Sequence, residues 1–416
     1  MSIAAPVSPP ALADDHAPER WRMLALLSVA ELLGMSLWFA GSALSSAYAE
    51  QWSLDASAVG WLTTIVQLGF VSGTAVSALL NLADIIPARR LFAASALFGA
   101  LCNAMLLTAD GFSMVLLWRF GTGVALAGVY PPAMKMIATW FRIRRGLAVG
   151  TIVGALTLGK GIPYLVHAFP EAGMAAVLLT ASGGAALAAL LVWFGYSDGP
   201  YPFPPRPFSW GLVREVVQGR EWRLALGGYL GHMIELYAAW TWIPAFIVAS
   251  ITAQSLATQD AATIPANSIA SMVSFGVLAI GGIGCIWGGM AADRRGRTWL
   301  VNFAMAISGS CAVLTALAFG HSLWLLIPLA LVWGFFIIAD SAQFSVLVTE
   351  SVPPHAVGTA LTLQTSIGFL LTAGVIQLIP RIVAVVGWQV AFATLAIGPM
   401  LGIASITRLS RVRGKA

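Results

Sequence analysis

Twelve long apolar runs separated by short polar breaks decide most of what this chain can fold into. They cover roughly 23–48, 58–81, 89–109, 113–139, 146–168 and 172–195, then 223–250, 267–290, 298–319, 322–347, 356–380 and 387–407. A helix needs about 20 apolar residues to cross the hydrocarbon of a bilayer, and each run meets that length. A soluble globule carries about 25% charged residues. This chain carries 9%, against 59% hydrophobic, which leaves too little polar surface to stay dissolved. We therefore expect an all-α membrane protein, held in the lipid bilayer by twelve transmembrane helices. Its formal charge of +5 is spread over the breaks and not clustered with aromatics, so no nucleic-acid partner is expected.

The breaks also suggest boundaries and an orientation. Residues 1–20, rich in Pro, Ala and Asp, read as a short cytoplasmic tail and lack the apolar core of a signal peptide. A six-run unit over 21–195 and another over 222–408 flank a linker at 196–221, and 409–416 reads as a second tail. The linker holds Pro200, Pro202, Pro204, Pro205 and Pro207 with Arg206, Arg214 and Arg220, which suits a spacer carrying one short surface helix. With the N-terminus inside, 18 of the 22 lysines and arginines fall in cytoplasmic segments. That asymmetry predicts both termini on the cytoplasmic side of a cell inner membrane.

Two patterns recur about half a chain apart. Glu31-Leu32-x5-Trp38 in the first run matches Glu235-Leu236-x5-Trp242 in the seventh, 204 residues on. The charged turn Gly289-Met290-Ala291-Ala292-Asp293-Arg294-Arg295-Gly296-Arg297 has a weaker copy at 82–90, which keeps Asp84, Arg89 and Arg90 but has Pro87 for the glycine. Acid near a helix end, a glycine that lets the backbone reverse, and arginines able to pair with that acid or with a neighbouring helix make such a turn a place where helix ends can be tied.

Written as G-x-x-x-D-R-x-G-R, the turn resembles the loop signature of the major facilitator superfamily of transporters. Leu117-Trp118-Arg119-Phe120-Gly121-Thr122-Gly123 looks like that superfamily's arginine-glycine motif. Trp140-Phe141-x3-Arg145-Gly146-x-Ala148-x-Gly150 is similar to a stretch of its nitrate/nitrite and cyanate transporter-like branch. The resemblance implies two pseudo-symmetric six-helix bundles rocking about a central site. It also implies a conformational latch built from Asp84, Arg89, Arg90, Gly289, Asp293, Arg294, Gly296 and Arg297, with Arg119 in structural pairing or in control of a proton path. The chain departs from the nitrate carriers in having no arginine in runs 2 and 8, and Lys160 where they place asparagine in run 5.

An ionisable side chain at the centre of a membrane helix costs about 2.5–3.5 kcal/mol on insertion scales, so the few present here are functional candidates. Lys160 sits between Gly159 and Gly161, ahead of Pro163. It reads either as a fixed positive charge for an anionic substrate or as a partner for Glu31. His232 and Glu235 are three residues apart on one helix face, where a histidine can pass protons to and from a carboxylate. Asp340 and Gln343 are likewise one turn apart. We expect Lys160, Trp38, Trp242 and Gln343 to bind substrate, and Glu31, His232, Glu235 and Asp340 to carry protons.

Cys102, Cys285 and Cys311 lie singly inside apolar runs, and no metal-ligand spacing, phosphate loop or nucleophile motif occurs. No cofactor or metal is expected, and the chain reads as neither an enzyme nor a primary pump. The expected activity is secondary transport by a monomer, moving a small solute, an anion, by alternating access with proton coupling. The alternative is efflux of multidrug or cationic compounds by proton antiport.

Overall fold

The computed structural model describes residues 18–142, 144–169, 171–201, 209–258 and 264–414, apart from the side chains of Ala83, Asp84 and Arg145. Residues 1–17 of the expected tail, Arg206 with the prolines around it, Lys415 and the Asp84 carboxyl lie outside these residues.

Among the described residues twelve helices are long and apolar enough to cross a membrane. They are α1 (Glu19–Trp52), α2 (Ala56–Leu79), α3 (Ala88–Thr108), α4 (Phe112–Ala138), α5 (Gly146–His167) and α6 (Met174–Gly195). After a short surface helix, Trp210–Gln218, come α7 (Arg220–Thr258), α8 (Ala266–Arg295), α9 (Arg297–Ala318), α10 (Leu323–Thr349), α11 (Val357–Ala391) and α12 (Ala393–Arg413). Because successive spans alternate in direction, one end of the molecule carries the start of α1 and the other the start of α2. We call these the near and far ends.

Local chemistry explains where the spans start, bend and stop. The Asp55 carboxylate accepts the Ala58 N–H at 2.7 Å and caps α2, satisfying one of the donors a helix start leaves open. In α4 the helix breaks at 127–129 and restarts at Tyr130 with Pro131-Pro132 in its first turn, where a missing N–H costs nothing. The counterpart break in α10 falls at Asp340. Gly296 joins α8 to α9 at φ +89°, a backbone conformation that side-chain-bearing residues rarely adopt.

The expected break after Pro380 is displaced. α11 runs through Pro380 and turns at Gly387, which has φ +75°. A proline removes one helical hydrogen bond and kinks the helix. The turn itself needs a residue at ease with positive φ, and 381–386 contain none.

Packing within the first six spans recurs in the last six. α1 packs on α5 and α6, and α7 on α11 and α12. α2 packs on α4 and α3 on α6, as α8 packs on α10 and α9 on α12. The two sets meet along two seams, α5 against α8 and α2 against α11, which also exchange under the same pairing. The candidate site lies where these seams enclose the middle of the molecule.

Candidate functional site

The α5–α8 seam is a backbone-to-backbone contact. A Cβ placed on Gly154 would come 2.8 Å from the Gly282 carbonyl, and one on Gly282 would come 2.9 Å from that of Gly154. Only residues without a side chain let the helices approach this closely. The α2–α11 seam is polar instead. Thr372 donates to Gln67 at 2.7 Å, and the Gln377 amide bridges Ser57 (3.2 Å) and Thr64 (3.1 Å) toward the far end.

Lys160 enters the interior from α5, beside this crossing. Its ammonium donates to the Tyr237 hydroxyl at 2.9 Å and faces the rings of Trp38 and Trp240 at 4.6 and 5.3 Å. Trp38 comes from the first half, whereas Tyr237 and Trp240 come from α7, so the cage is assembled across the two halves. A desolvated cation over an aromatic face gains about 2 kcal/mol. The faces of Trp38 and Trp240 and the Tyr237 hydroxyl are therefore enough to offset an insertion cost of about 3 kcal/mol without a counter-ion. Among the described residues no carboxylate pairs with this ammonium.

Glu31 is the nearest candidate for one. α1 and α5 touch where Gly159 meets the Leu32 carbonyl, which puts Glu31 and Lys160 on facing helices within reach of each other's charge. Yet Glu31 is fully buried and both its carboxyl oxygens lack a hydrogen-bond partner. The indole N–H groups of Trp38 and Trp240, on the rings flanking Lys160, also lack acceptors. Buried polar groups are rarely left open unless something completes them. The site thus holds one acid, one base and two spare donors, with an aromatic wall continued by Phe70 and Phe369 at 5.4 and 5.3 Å from Trp38.

The other sequence candidates separate into distinct places. His232 does not face Glu235. Its Nδ1 lies 3.0 Å from Asp340 Oδ1, both residues being buried, with Tyr229 and Phe344 against the imidazole ring. Glu235 instead accepts from Trp333 Nε1 and Ser308 Oγ, each at 2.8 Å. The helical spacing put His232 and Glu235 on one face but could not say which neighbour each would meet. Gln343 is buried one turn beyond Asp340. Trp242 is not part of the Lys160 cage. Its Nε1 donates to the Ile376 carbonyl at 3.0 Å and its ring covers Gly60 of α2. Trp240, two residues earlier, takes the expected place.

Of the described latch residues, Asp293 and Gly289 face the opposite half, both against Gly146 at the start of α5. A carboxylate there meets the positive end of a helix dipole. Arg297 pairs at 2.6 Å with Glu350, to which Arg413 also binds at 3.2 Å while reaching Glu221 at 3.0 Å. This network ties α7, α9, α10 and α12 within their own half. Arg89, Arg90 and Arg294 are exposed. Arg119 is not at a helix end at all: it is buried and donates to the carbonyls of Leu62 (3.2 Å), Leu37 (2.9 Å) and Trp38 (2.5 Å), holding α1 and α2 on α4.

Sequence reasoning missed Tyr237, Trp333 and Ser308. The clustering of Tyr237, Trp240 and Trp242 in one run was the available signal for the first. Nothing in the sequence links Trp333 or Ser308 to Glu235.

Comparison with known proteins gives a consistent result at the level of fold. A family model described as Major Facilitator Superfamily matches residues 26–376. The uncharacterised transporter YgaY of Escherichia coli, in strains K12 and O157:H7, is 29% identical over 180 residues, which is 42% of this chain and 44% of YgaY. The aligned region thus spans under half the length of these curated relatives. Among solved structures, a bacterial homologue of the human lysosomal transporter Spinster, inward-facing and unoccupied, superposes with a TM-score of 0.72. It is 15% identical, with coverage of 95% of this chain and 98% of that one. A point mutant of the nucleoside transporter NupG gives 0.70 at 15% identity, covering 93% and 99%.

Proposed function

Because the chain belongs to the Major Facilitator Superfamily, and is therefore a membrane transporter and not an enzyme, we propose that it moves a small organic or inorganic anion by alternating access, coupled to protons. One observation carries this reading. Among the described residues no carboxylate forms an ion pair with the Lys160 ammonium, while the buried N–H groups of Trp38 and Trp240, on rings beside it, have no acceptor. Surplus donors around a fixed cation are what an anionic group completes.

Glu31 supplies the coupling. Deprotonated, it is drawn to Lys160 and competes with the substrate. Protonated, it leaves the ammonium free, so proton and anion load together. The loaded site then changes exposure as α7, with Tyr237 and Trp240, moves relative to α1 and α5. The Gly154–Gly282 crossing acts as the pivot of that motion. His232 with Asp340 forms a second proton-accepting pair in the other half. The protein works as a monomer in the cytoplasmic membrane with both termini inside. Kinship with the nitrate/nitrite and cyanate transporter-like branch rests on the Trp140–Gly150 stretch alone.

A second reading has its own support: an aromatic box is also how proteins hold organic cations. In that case Lys160 occupies the place of a cationic substrate, Glu31 is its counter-ion, and the exchange is proton antiport. Uptake into proteoliposomes, with a panel of small anions and lipophilic cations under an imposed pH gradient, separates the two. Anion accumulation that an uncoupler stops is the expected outcome. Transport confined to cations, or accumulation indifferent to the uncoupler, would reject the anion–proton reading.

A further inference from the structure

The turn from α8 to α9 carries a groove that the transport site does not use. It has a volume of about 320 Å³, is lined by Trp287, Met290, Ala291, Arg294, Arg295 and Trp299, and lies on the outer face of the bundle. Its walls are aromatic and braced from behind: Trp287 packs on Phe335 and Phe336 at 5.5 and 5.7 Å, and Trp299 stacks on Phe303 at 4.9 Å. The Arg295 guanidinium lies over Trp299 at 4.8 Å.

Helical spacing separates this face from the seam. Gly289 and Asp293 turn toward Gly146 of α5, while Met290, Arg294 and Arg295 lie on the opposite side of α8. Arg294 and Arg295 are exposed, and among the described residues neither forms an ion pair. Two uncountered guanidinium groups thus stand at the end of two membrane spans, above Trp287 and an exposed Met290. Interfacial tryptophans mark the level of lipid headgroups. Basic pockets at that level between membrane helices suit anionic headgroups.

We propose that this groove binds a phospholipid with an anionic headgroup. The two arginines take the phosphate, and an acyl chain lies over Trp287 and Met290. Arginine suits the role because its planar fork donates two parallel hydrogen bonds to phosphate oxygens. This inference does not depend on the nature of the transported solute.

The test is lipid retention by the purified full-length protein, read by native mass spectrometry and by thermal unfolding in detergent. The probes are phosphatidylglycerol, phosphatidylcholine and soluble glycerol 3-phosphate. Phosphatidylglycerol should be retained and should raise the unfolding temperature, and glycerol 3-phosphate should do neither. The double variant Arg294→Ala/Arg295→Ala should bind phosphatidylglycerol about thirtyfold more weakly, from two basic side chains at an anionic surface. Arg294→Lys/Arg295→Lys, which keeps the charge if the alanine variant fails to fold, should recover part of that loss. The control Arg89→Ala/Arg90→Ala removes the same charge from the other turn and should change little. Equal retention of phosphatidylcholine, equal binding of glycerol 3-phosphate, or an equal loss in the Arg89/Arg90 control would overturn the site.

Discussion

The Glu-Leu-x5-Trp pattern occurs once in α1 and once in α7, at equivalent places in two halves that pack alike, and the two copies have different surroundings. Glu31 is buried with both oxygens unpartnered beside Lys160, whereas Glu235 is held by Trp333 and Ser308. Trp38 lays its ring on the Lys160 ammonium and leaves its N–H unused, whereas Trp242 spends its N–H on the Ile376 carbonyl. The difference originates outside the repeat. α5 brings a lysine to α1, while the corresponding helix α11 offers α7 no basic side chain deeper than Arg381. A duplicated pattern therefore sets depth and face, and the neighbouring helix decides whether a carboxyl is left reactive or made part of the frame.

The sharpest way to break this comparison is to remove its cause. Lys160→Ala should abolish substrate uptake, with affinity falling about 100-fold, since truncating one partner of a buried charged contact costs about 2–5 kcal/mol. The variant should remain monodisperse and unfold at a temperature near that of the parent. Uptake within twofold of the parent would show that Lys160 serves the structure and that the two halves do not differ as argued.

The paired carboxyls give the next largest contrast, because they should fail in different assays. Glu31→Gln should keep solute exchange between equal pools but lose accumulation driven by a pH gradient, with little change in unfolding. Glu235→Ala should keep pH-driven accumulation and lose about 1–3 kcal/mol of stability, as Trp333 loses a buried acceptor. If Glu235→Ala uncouples and Glu31→Gln merely destabilises, the roles are reversed and the proton route runs through α7.

What could be seen in advance follows the same division. The twelve spans were legible because membrane helices must be long, apolar and internally hydrogen bonded, which leaves a strong trace in the sequence. The α11 turn was misplaced because Pro380 marks a kink while the positive φ at Gly387 marks the stop. Lys160 and Glu31 were legible as rare charges at depth. Their neighbours were not: Tyr237 and Trp240 reach Lys160 from another helix in the other half, and His232 turned to Asp340 on α10, not to Glu235 on its own helix. Contacts across 77 and 108 residues depend on how helices rotate against each other, and periodicity along one helix carries no record of that. The charged turn left its partners open in a similar way: its arginines could pair with the acid or with a neighbouring helix, and Arg297 takes Glu350 inside its own half.

The smallest expected effect tests whether the cage or its hydroxyl holds the lysine. Tyr237→Phe keeps the ring 5.1 Å from the ammonium and removes only the hydroxyl that Lys160 donates to. A single hydrogen bond to a charged group contributes about 1.5–3 kcal/mol, but substrate oxygens can replace the hydroxyl once bound, so apparent affinity should shift by about threefold or less. Replacing the ring as well, in Tyr237→Leu, should cost more than removing the hydroxyl, because the ring that packs Trp38, Trp240 and Phe369 in place around the cation is then gone. The matching change in the other copy, Trp242→Phe, leaves Lys160 untouched and should not alter substrate affinity. If Tyr237→Phe and Tyr237→Leu lose affinity equally, the hydroxyl and not the aromatic faces positions Lys160. If Trp242→Phe shifts affinity as strongly as either, the two copies share one site and the contrast between them fails.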